Sequence, residues 1–237
     1  MIEVTLPGAK VAFSDRRGGV SEGPYDSLNL GILTEDDNAN VAENRRRLAA
    51  SVGSDPERVA MGWQVHGDEI LEWDGPPQNG GFAHVGADLP KVDGHTTTAK
   101  GVPLMVLVAD CLPVALATPQ RAVMLHCGWR GLAAGIIERG LALFDGGEEP
   151  RAVLGPSIGP CCYEVGEEVL AEFADLQGVA NGRMLSLNMV AQQKLLAGGV
   201  TKIDSFPLCT RCRPDLFFSH RRDDGVTGRQ AGLVWLT

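Results

Sequence analysis

Absences narrow the function of this 237-residue sequence first. No basic run exceeds Arg45-Arg46-Arg47, and 21 Lys and Arg against 30 Asp and Glu leave a net charge of −9. A nucleic-acid-binding body needs a basic face to neutralise phosphates, so no nucleic-acid partner is expected. No apolar stretch reaches the length that spans a bilayer. The longest, residues 102–109 followed by 112–117, is broken by Asp110 and contains Pro103 and Pro113, so no membrane partner is expected either. The opening MIEVTLPGAKVAFSDRRGG has no apolar core before a cleavage signature; no signal peptide is read there, and the expected location is cytoplasmic. There is no internal repeat and no low-complexity linker, which leaves a single domain over 1–237 as the expectation.

Hydrophobic residues make up 44% and charged residues 22%, ordinary usage that supports a sizeable core. Strands are expected at 10–14, 59–64, 69–73, 103–109, 114–117, 122–125, 152–154 and 233–236. Helices are expected at 37–52, with capping groups at Asp36, Asp37 and Asn38, and at 132–144, 164–173 and 187–196. Residues 16–31 and 76–88 read as Gly- and Pro-punctuated loops. The runs at 103–109, 114–117 and 122–125 are continuously apolar rather than alternating, so both faces of their sheet should be covered. An α+β or α/β layered fold follows, with helices outside mixed sheets.

Three of the five histidines stand where an apolar segment gives way to a turn: His66 in GWQVHGDE, His126 in MLHCGWRG and His220 in LFFSHRRD. Cys111, in LMVLVADCLPV, has an equivalent place. Strand ends of one sheet can gather side chains at a common rim. Two imidazoles and a thiolate from His66, Cys111 and His126 would suit Zn²⁺ with three protein ligands and one open position, the arrangement of catalytic zinc. A lone histidine at a strand end is more often simply hydrogen-bonded, and a lone cysteine a small hydrophobe. Nothing in the spacing decides between these readings.

Cys161-Cys162 and the CxxC of Cys209 and Cys212 could make a four-thiolate site. Neighbouring cysteines chelate one ion awkwardly, however, and the four are expected to be thiols packed near the site or in the core. Arg16, Arg130, Arg221 and Arg229 sit in glycine-flanked or polar turns. Each alone reads as surface solvation, but together they could clamp an anionic ligand beside a cationic metal.

The blocks FSDRRGGVSEGPYDSLNLG, DDNANVAENRRRLA, QVHGD, ADCLPVAL, HCGWRG, GPSIGPCCYEVGEEV and CTRCRPDLFFSHRRDDGVTGRQAGLVWL resemble the YfiH-type laccase-domain family across nearly the whole chain. The resemblance implies an α/β/β/α layered sandwich and metal ligands at His66, Cys111 and His126. It also places family arginines on Arg16, Arg221, Arg222 and Arg229, and Gln64 of the QVHGD block is taken with them and Arg130 as a substrate contact. Two positions depart from the family pattern: Cys127 stands where alanine is common, which would add a thiol beside the metal, and Ser186 replaces an acidic residue ahead of the 187–196 helix.

The activity implied is zinc-dependent purine nucleoside phosphorolysis, taking adenosine, inosine or methylthioadenosine with phosphate, together with adenosine deamination. Cys111, His126 and Asp110 are the candidate catalytic residues, with Asp110 as a proton carrier or, equally, only a turn-capping group. Copper is an alternative metal, giving a polyphenol oxidase, because copper outcompetes zinc at such ligands. Further alternatives are a hydrolase editing UDP-linked amino-sugar precursors and a cysteine hydrolase with Cys111 as nucleophile and His126 as base.

Overall fold

The structure, a computed structural model, describes residues 1–237 except 32–33, 79, 145–146 and 148; position 79 of the expected 76–88 loop therefore lies outside the described residues. Two sheets dominate. The first runs β1 (Ile2–Leu6), β2 (Ala9–Phe13), β12 (Gln230–Leu236), β5 (Leu104–Val108), antiparallel throughout. The second runs β11 (Ile203–Ser205), β8 (Arg151–Leu154), β6 (Leu112–Ala117), β7 (Ala122–Cys127), β4 (Gly94–Thr97), β3 (Ile70–Glu72). Its outer pairs β11–β8 and β3–β4 are parallel and its inner pairs antiparallel, so the sheet is mixed. A two-stranded ribbon of β9 (Ala180–Asn181) and β10 (Met184–Leu185) completes the strands described.

The period of two along each strand sorts side chains into layers. Val11, Phe13, Leu104, Val106, Val108, Val234 and Leu236 of the first sheet meet Ala115, Ala117, Ala122, Met124 and Val153 of the second, forming the core between the sheets. The alternate residues Ala12, Met105, Ala231 and Leu233 face Leu48 and Ala49 of α1 (Asn38–Ser51). On the second sheet Leu112, Val114, Leu116, Val123, Leu125 and Leu154 pack under four helices: α2 (Trp129–Ala134), α3 (Ile136–Leu141), α4 (Glu167–Ala171) and α5 (Leu187–Ala197). The order helix, sheet, sheet, helix is the α/β/β/α sandwich that the resemblance implied. Continuous apolar runs at β5, β6 and β7 have the reason expected: both faces are buried.

Helix α1 starts where Asp37 accepts the Ala39 N–H, one residue inside the expected 37–52. Its Arg45 is fully buried, donating to the carbonyls of Leu30 and Phe82 and thereby fixing the 28–31 loop. Three expectations are corrected. Residues 59–64 are not a strand: only Ala60 forms a bridge, to Leu104. Beyond it the Gln64 carboxamide takes over the role of a strand neighbour, accepting the Leu107 N–H and donating to the Leu107 carbonyl. The expected 132–144 helix begins earlier, at Trp129, and divides at Gly135, whose φ of 96° lies in the left-handed region. The expected 164–173 helix shrinks to α4 because Glu164 bridges Met184 and the Val165 N–H bonds the Arg183 carbonyl, both in extended backbone.

Candidate metal centre and its pocket

Antiparallel pairing of β6 with β7 sets Pro113 opposite His126 and Leu112 opposite Cys127. Strand alternation then decides which side chains share a face. Leu112 and Cys127 point to the helices, so Cys111 and His126 fall on the other face, at the end of the inter-sheet layer. This corrects the expectation for Cys127: its thiol is fully buried in the helix-side core and faces away from the candidate metal ligands. Burial pushes that thiol's pKa well up, as suits a small hydrophobe.

His66 arrives from the loop between α1 and β3. Its φ of 61° is unusual for a non-glycine residue, and a single carboxylate holds it there. Buried Asp93 accepts three successive backbone N–H groups, from Val65 (3.0 Å), His66 (2.9 Å) and Gly67 (2.8 Å). The same carboxylate lies 2.8 Å from Nδ1 of His126. It fixes both histidines at once, and with Nδ1 engaged His126 presents Nε2 to the site. Asp93 was not singled out from the sequence. It precedes β4, 33 residues from His126, and only the β4–β7 pairing brings the two together.

The ligand atoms of His66, Cys111 and His126 all lie within 4.8 Å of one another, and the two rings meet edge to face at a centroid distance of 4.9 Å. Gly128 keeps the space between them open: a Cβ there would come within 3.2 Å of both the Cys111 sulfur and the His66 ring. One soft thiolate and two imidazoles, with one histidine exposed and one buried, fit a zinc or copper ion accessible from one side. The electrostatics agree with that chemistry. Burial raises the Cys111 thiol, but the neighbouring charge of His126 and hydrogen bonds from both histidines outweigh it and hold the pKa at about 6. Burial pulls His126 down, but the Cys111 charge and the bond to Asp93 outweigh it and raise the pKa to about 9. Without metal, the pair is a thiolate beside an imidazolium near neutral pH.

The three residues sit in the wall of a cavity of about 400 Å³, within the range of small-molecule sites. Arg130, Arg221, Arg229 and Gln64 line it, as does Asp110. Arg130 lies over the Trp129 ring at 4.4 Å and has no carboxylate partner among the described residues. Arg221 spans the Tyr163 ring at 5.2 Å and donates to the Glu164 carbonyl. Arg229 is held by the carbonyls of Thr227 and Gly228. The Gln64 carboxamide, bonded on both sides to Leu107, forms the wall through the strand edge it anchors.

Asp110 has both carboxylate oxygens engaged: one accepts the Thr210 hydroxyl at 2.6 Å, the other the Arg221 N–H at 2.7 Å. Its φ of 96° is held by those bonds, and it ties the 210–221 segment to the strand end that carries Cys111. Arg16 is not among the residues that line the cavity. Its guanidinium donates to the carbonyls of Asp26 (2.6 Å) and Pro214 (3.1 Å) and stacks on Phe218 at 4.5 Å, strapping two loops together. Arg222 is likewise committed elsewhere, to Asp223 and the Thr210 and Phe217 carbonyls.

Pocket residues given no site role from the sequence are Trp63, Trp129, Tyr163 and the exposed His220, the last noted there only as a histidine at a segment end. Burial first, and then the Cys111 charge, push Tyr163 up to about 12, so its phenol stays a hydrogen-bond donor at neutral pH. Aromatic rings beside glycine turns were the available signal, but position along the chain does not say which rings face a cavity.

Comparison with known proteins places this geometry in a lineage. The family model described as "Multi-copper polyphenol oxidoreductase laccase" matches residues 10–237. A protein of Streptomyces coelicolor named purine nucleoside phosphorylase is 38% identical, covering 98% of this chain and 97% of its own. Escherichia coli YfiH, also named purine nucleoside phosphorylase, is 37% identical, with 97% and 94% covered. Among solved structures, Bacillus licheniformis YfiH superposes with a TM-score of 0.89 at 32% identity, covering 97% of this chain and 93% of that one. YlmD from Geobacillus stearothermophilus gives 0.89 at 34% identity, with 97% and 92% covered. With near-complete coverage at this identity, the chain belongs to the YfiH family of laccase-domain proteins.

Proposed function

We propose that the protein is a zinc-dependent purine nucleoside phosphorylase with adenosine deaminase activity, acting in the cytoplasm on adenosine, inosine or methylthioadenosine. The observation that carries the reading is the convergence of the His66, Cys111 and His126 ligand atoms in the wall of a pocket that also collects three guanidinium groups. The names of the relatives support the substrate class. A zinc ion held by the three residues would supply Lewis-acid chemistry in the pocket.

The chain's own residues supply the rest. Arg130, Arg221 and Arg229 hold and orient a phosphate, whose oxygen bonds to C1′ of the ribose as the bond from C1′ to the purine nitrogen breaks. Trp129 and Tyr163 offer ring faces and the Tyr163 hydroxyl to a purine. Asp93 keeps His126 oriented with Nε2 inward. Asp110 acts as a positioning residue: its oxygens hold Thr210 and the Arg221 backbone, and with them the wall that presents Arg221.

Copper oxidase chemistry is the second reading, favoured by the description of the matched family and by a thiolate and imidazole set that also suits copper. A product assay separates the readings. Protein purified without added metal should release free purine from inosine only when phosphate is present, release ammonia from adenosine, and lose both activities on chelation and regain them with zinc. Phosphate-independent release, or phenol oxidation that tracks bound copper in place of nucleoside cleavage, would overturn the proposal. Hydrolysis of UDP-linked amino-sugar precursors in place of nucleoside cleavage would do the same.

A further inference from the structure

The four cysteines, expected to be thiols packed near the site or in the core rather than a four-thiolate site, form one cluster. Cys161, Cys162, Cys209 and Cys212 have ligand atoms all within 4.8 Å of one another, with Cys162 and Cys212 sulfurs 3.3 Å apart and Cys161 and Cys212 sulfurs 3.6 Å apart. They sit at the rim of the helix-side core: Cys161 and Cys212 are exposed, while half-buried Cys162 and Cys209 pack against it. Four sulfurs at about 2.3 Å from a tetrahedral zinc would lie about 3.8 Å from one another, a value bracketed by the 3.3 Å separation of Cys162 and Cys212 and the 4.8 Å limit on the whole group.

The surroundings of Cys209 and Cys162 suit thiolates, whereas in the absence of an ion Cys161, by burial and then the other sulfurs, and Cys212, by the other sulfurs, are held above the usual thiol pKa. The Gly159 N–H donates to the Cys209 sulfur at 3.3 Å, the Cys212 N–H faces the same atom, and the Arg211 guanidinium lies beside Cys162. The awkwardness of adjacent cysteines as chelators is relieved by the turn at 159–163. There the N–H groups of Cys162 and Tyr163 both return to the Gly159 carbonyl, and the tightened chain brings both sulfurs to one side.

We propose that Cys161, Cys162, Cys209 and Cys212 form a second, closed zinc site of four thiolates that braces the pocket wall from outside. Both segments it would join lead into the pocket. Residue 158 and Tyr163 flank Cys161 and Cys162 and line the cavity; Thr210, between Cys209 and Cys212, bonds Asp110, and Arg221 follows on the same segment. The two segments already meet through the Ser157–Cys209 bridge and the Thr210 N–H bond to the Ser157 carbonyl. A closed tetrahedron leaves no position for substrate, so the role is structural. The inference is independent of the activity proposed above, because the two sites share no ligand.

Metal analysis tests it. Wild-type protein prepared under reducing conditions without added metal should carry about two zinc equivalents per chain. The double variant Cys161→Ser/Cys212→Ser should carry about one and retain nucleoside cleavage that still responds to chelation, whereas Cys111→Ser should also carry about one. Should the double variant not fold, titrating wild-type protein with a thiol-binding mercurial should release zinc in two separable steps, and a cobalt-substituted Cys111→Ser protein should show the intense sulfur-to-metal charge-transfer bands of a tetrathiolate. Wild-type zinc near one equivalent and insensitive to the cysteine substitutions would overturn the proposal. So would disulfides among these four cysteines, detected by mass after alkylation without reductant.

Discussion

At the scale of single residues, Asp93 governs the site more than any ligand does, because one carboxylate sets a loop backbone and an imidazole together. Replacing it by asparagine keeps a similar shape but removes the charge. Asp93→Asn is expected to weaken metal binding by about 10–100-fold, read by competition with a chromophoric chelator; unchanged affinity would remove Asp93 from the account. Proton linkage gives a second prediction. Metal takes Cys111 as thiolate and His126 as neutral imidazole. With Cys111 at about 6 and His126 at about 9, metal entering between those pH values must displace the His126 proton. Apparent affinity should therefore rise about tenfold per pH unit from about pH 6 to 9, rise more steeply below 6 where Cys111 is also protonated, and gain nothing further from His126 above 9. Titration of metal-free protein at several pH values reads this directly. The candidate ligands could be named from the sequence because each ends an apolar segment or precedes a glycine turn, although that placement left their role undecided and only the family blocks decided for a metal. Asp93 could not be named, because its partners are chosen by strand pairing. Ser186 shows the same limit: the hydroxyl takes the capping role that an acidic residue would have filled, accepting the Met189 N–H.

Elements divide by how local their causes are. Helices α1 and α5 follow from caps and apolar spacing and begin within one residue of where the sequence put them. Strands β5, β6, β7 and β12 were visible as apolar runs. Short elements such as β4, β9 and β11 were missed because partner strands rather than intrinsic pattern create them. The α2–α3 break is a local device that periodicity overlooked, since the apolar residues on either side continue in helical register. Gly135 at φ 96° serves both as the C-cap of α2 and the N-cap of α3. Gly135→Ala should cost about 1–2 kcal/mol of stability from left-handed backbone strain, seen as a lower urea midpoint with an unchanged slope. A stabilised Gly135→Ala would mean that the break is not required.

Across the whole molecule, the layers explain why the site lies where it does. No helix among the described residues is long and apolar enough to cross a membrane, and the apolar content is spent on three stacked cores. His126 stands on the inter-sheet face of β7 and Cys127 on the helix face. Damage to the helix-side core should therefore lower stability without altering the ligands. Leu125→Ala, at a fully buried position, is expected to cost about 2–5 kcal/mol, followed by denaturant unfolding, while the folded fraction keeps its metal at the His66 site. Loss of that metal in folded Leu125→Ala protein would show that site and core are not separable in this way.

The claim beneath all of this is that His66, Cys111 and His126 share one ion. An anomalous difference map at the zinc edge, from crystals of protein prepared without added metal, tests it most directly. A peak bonded to the Cys111 sulfur and to a nitrogen of each histidine, at about 2.3 Å and 2.0–2.1 Å, is the predicted result. Zinc-replete crystals with no peak among these three side chains, or with one that excludes Cys111, would contradict the account.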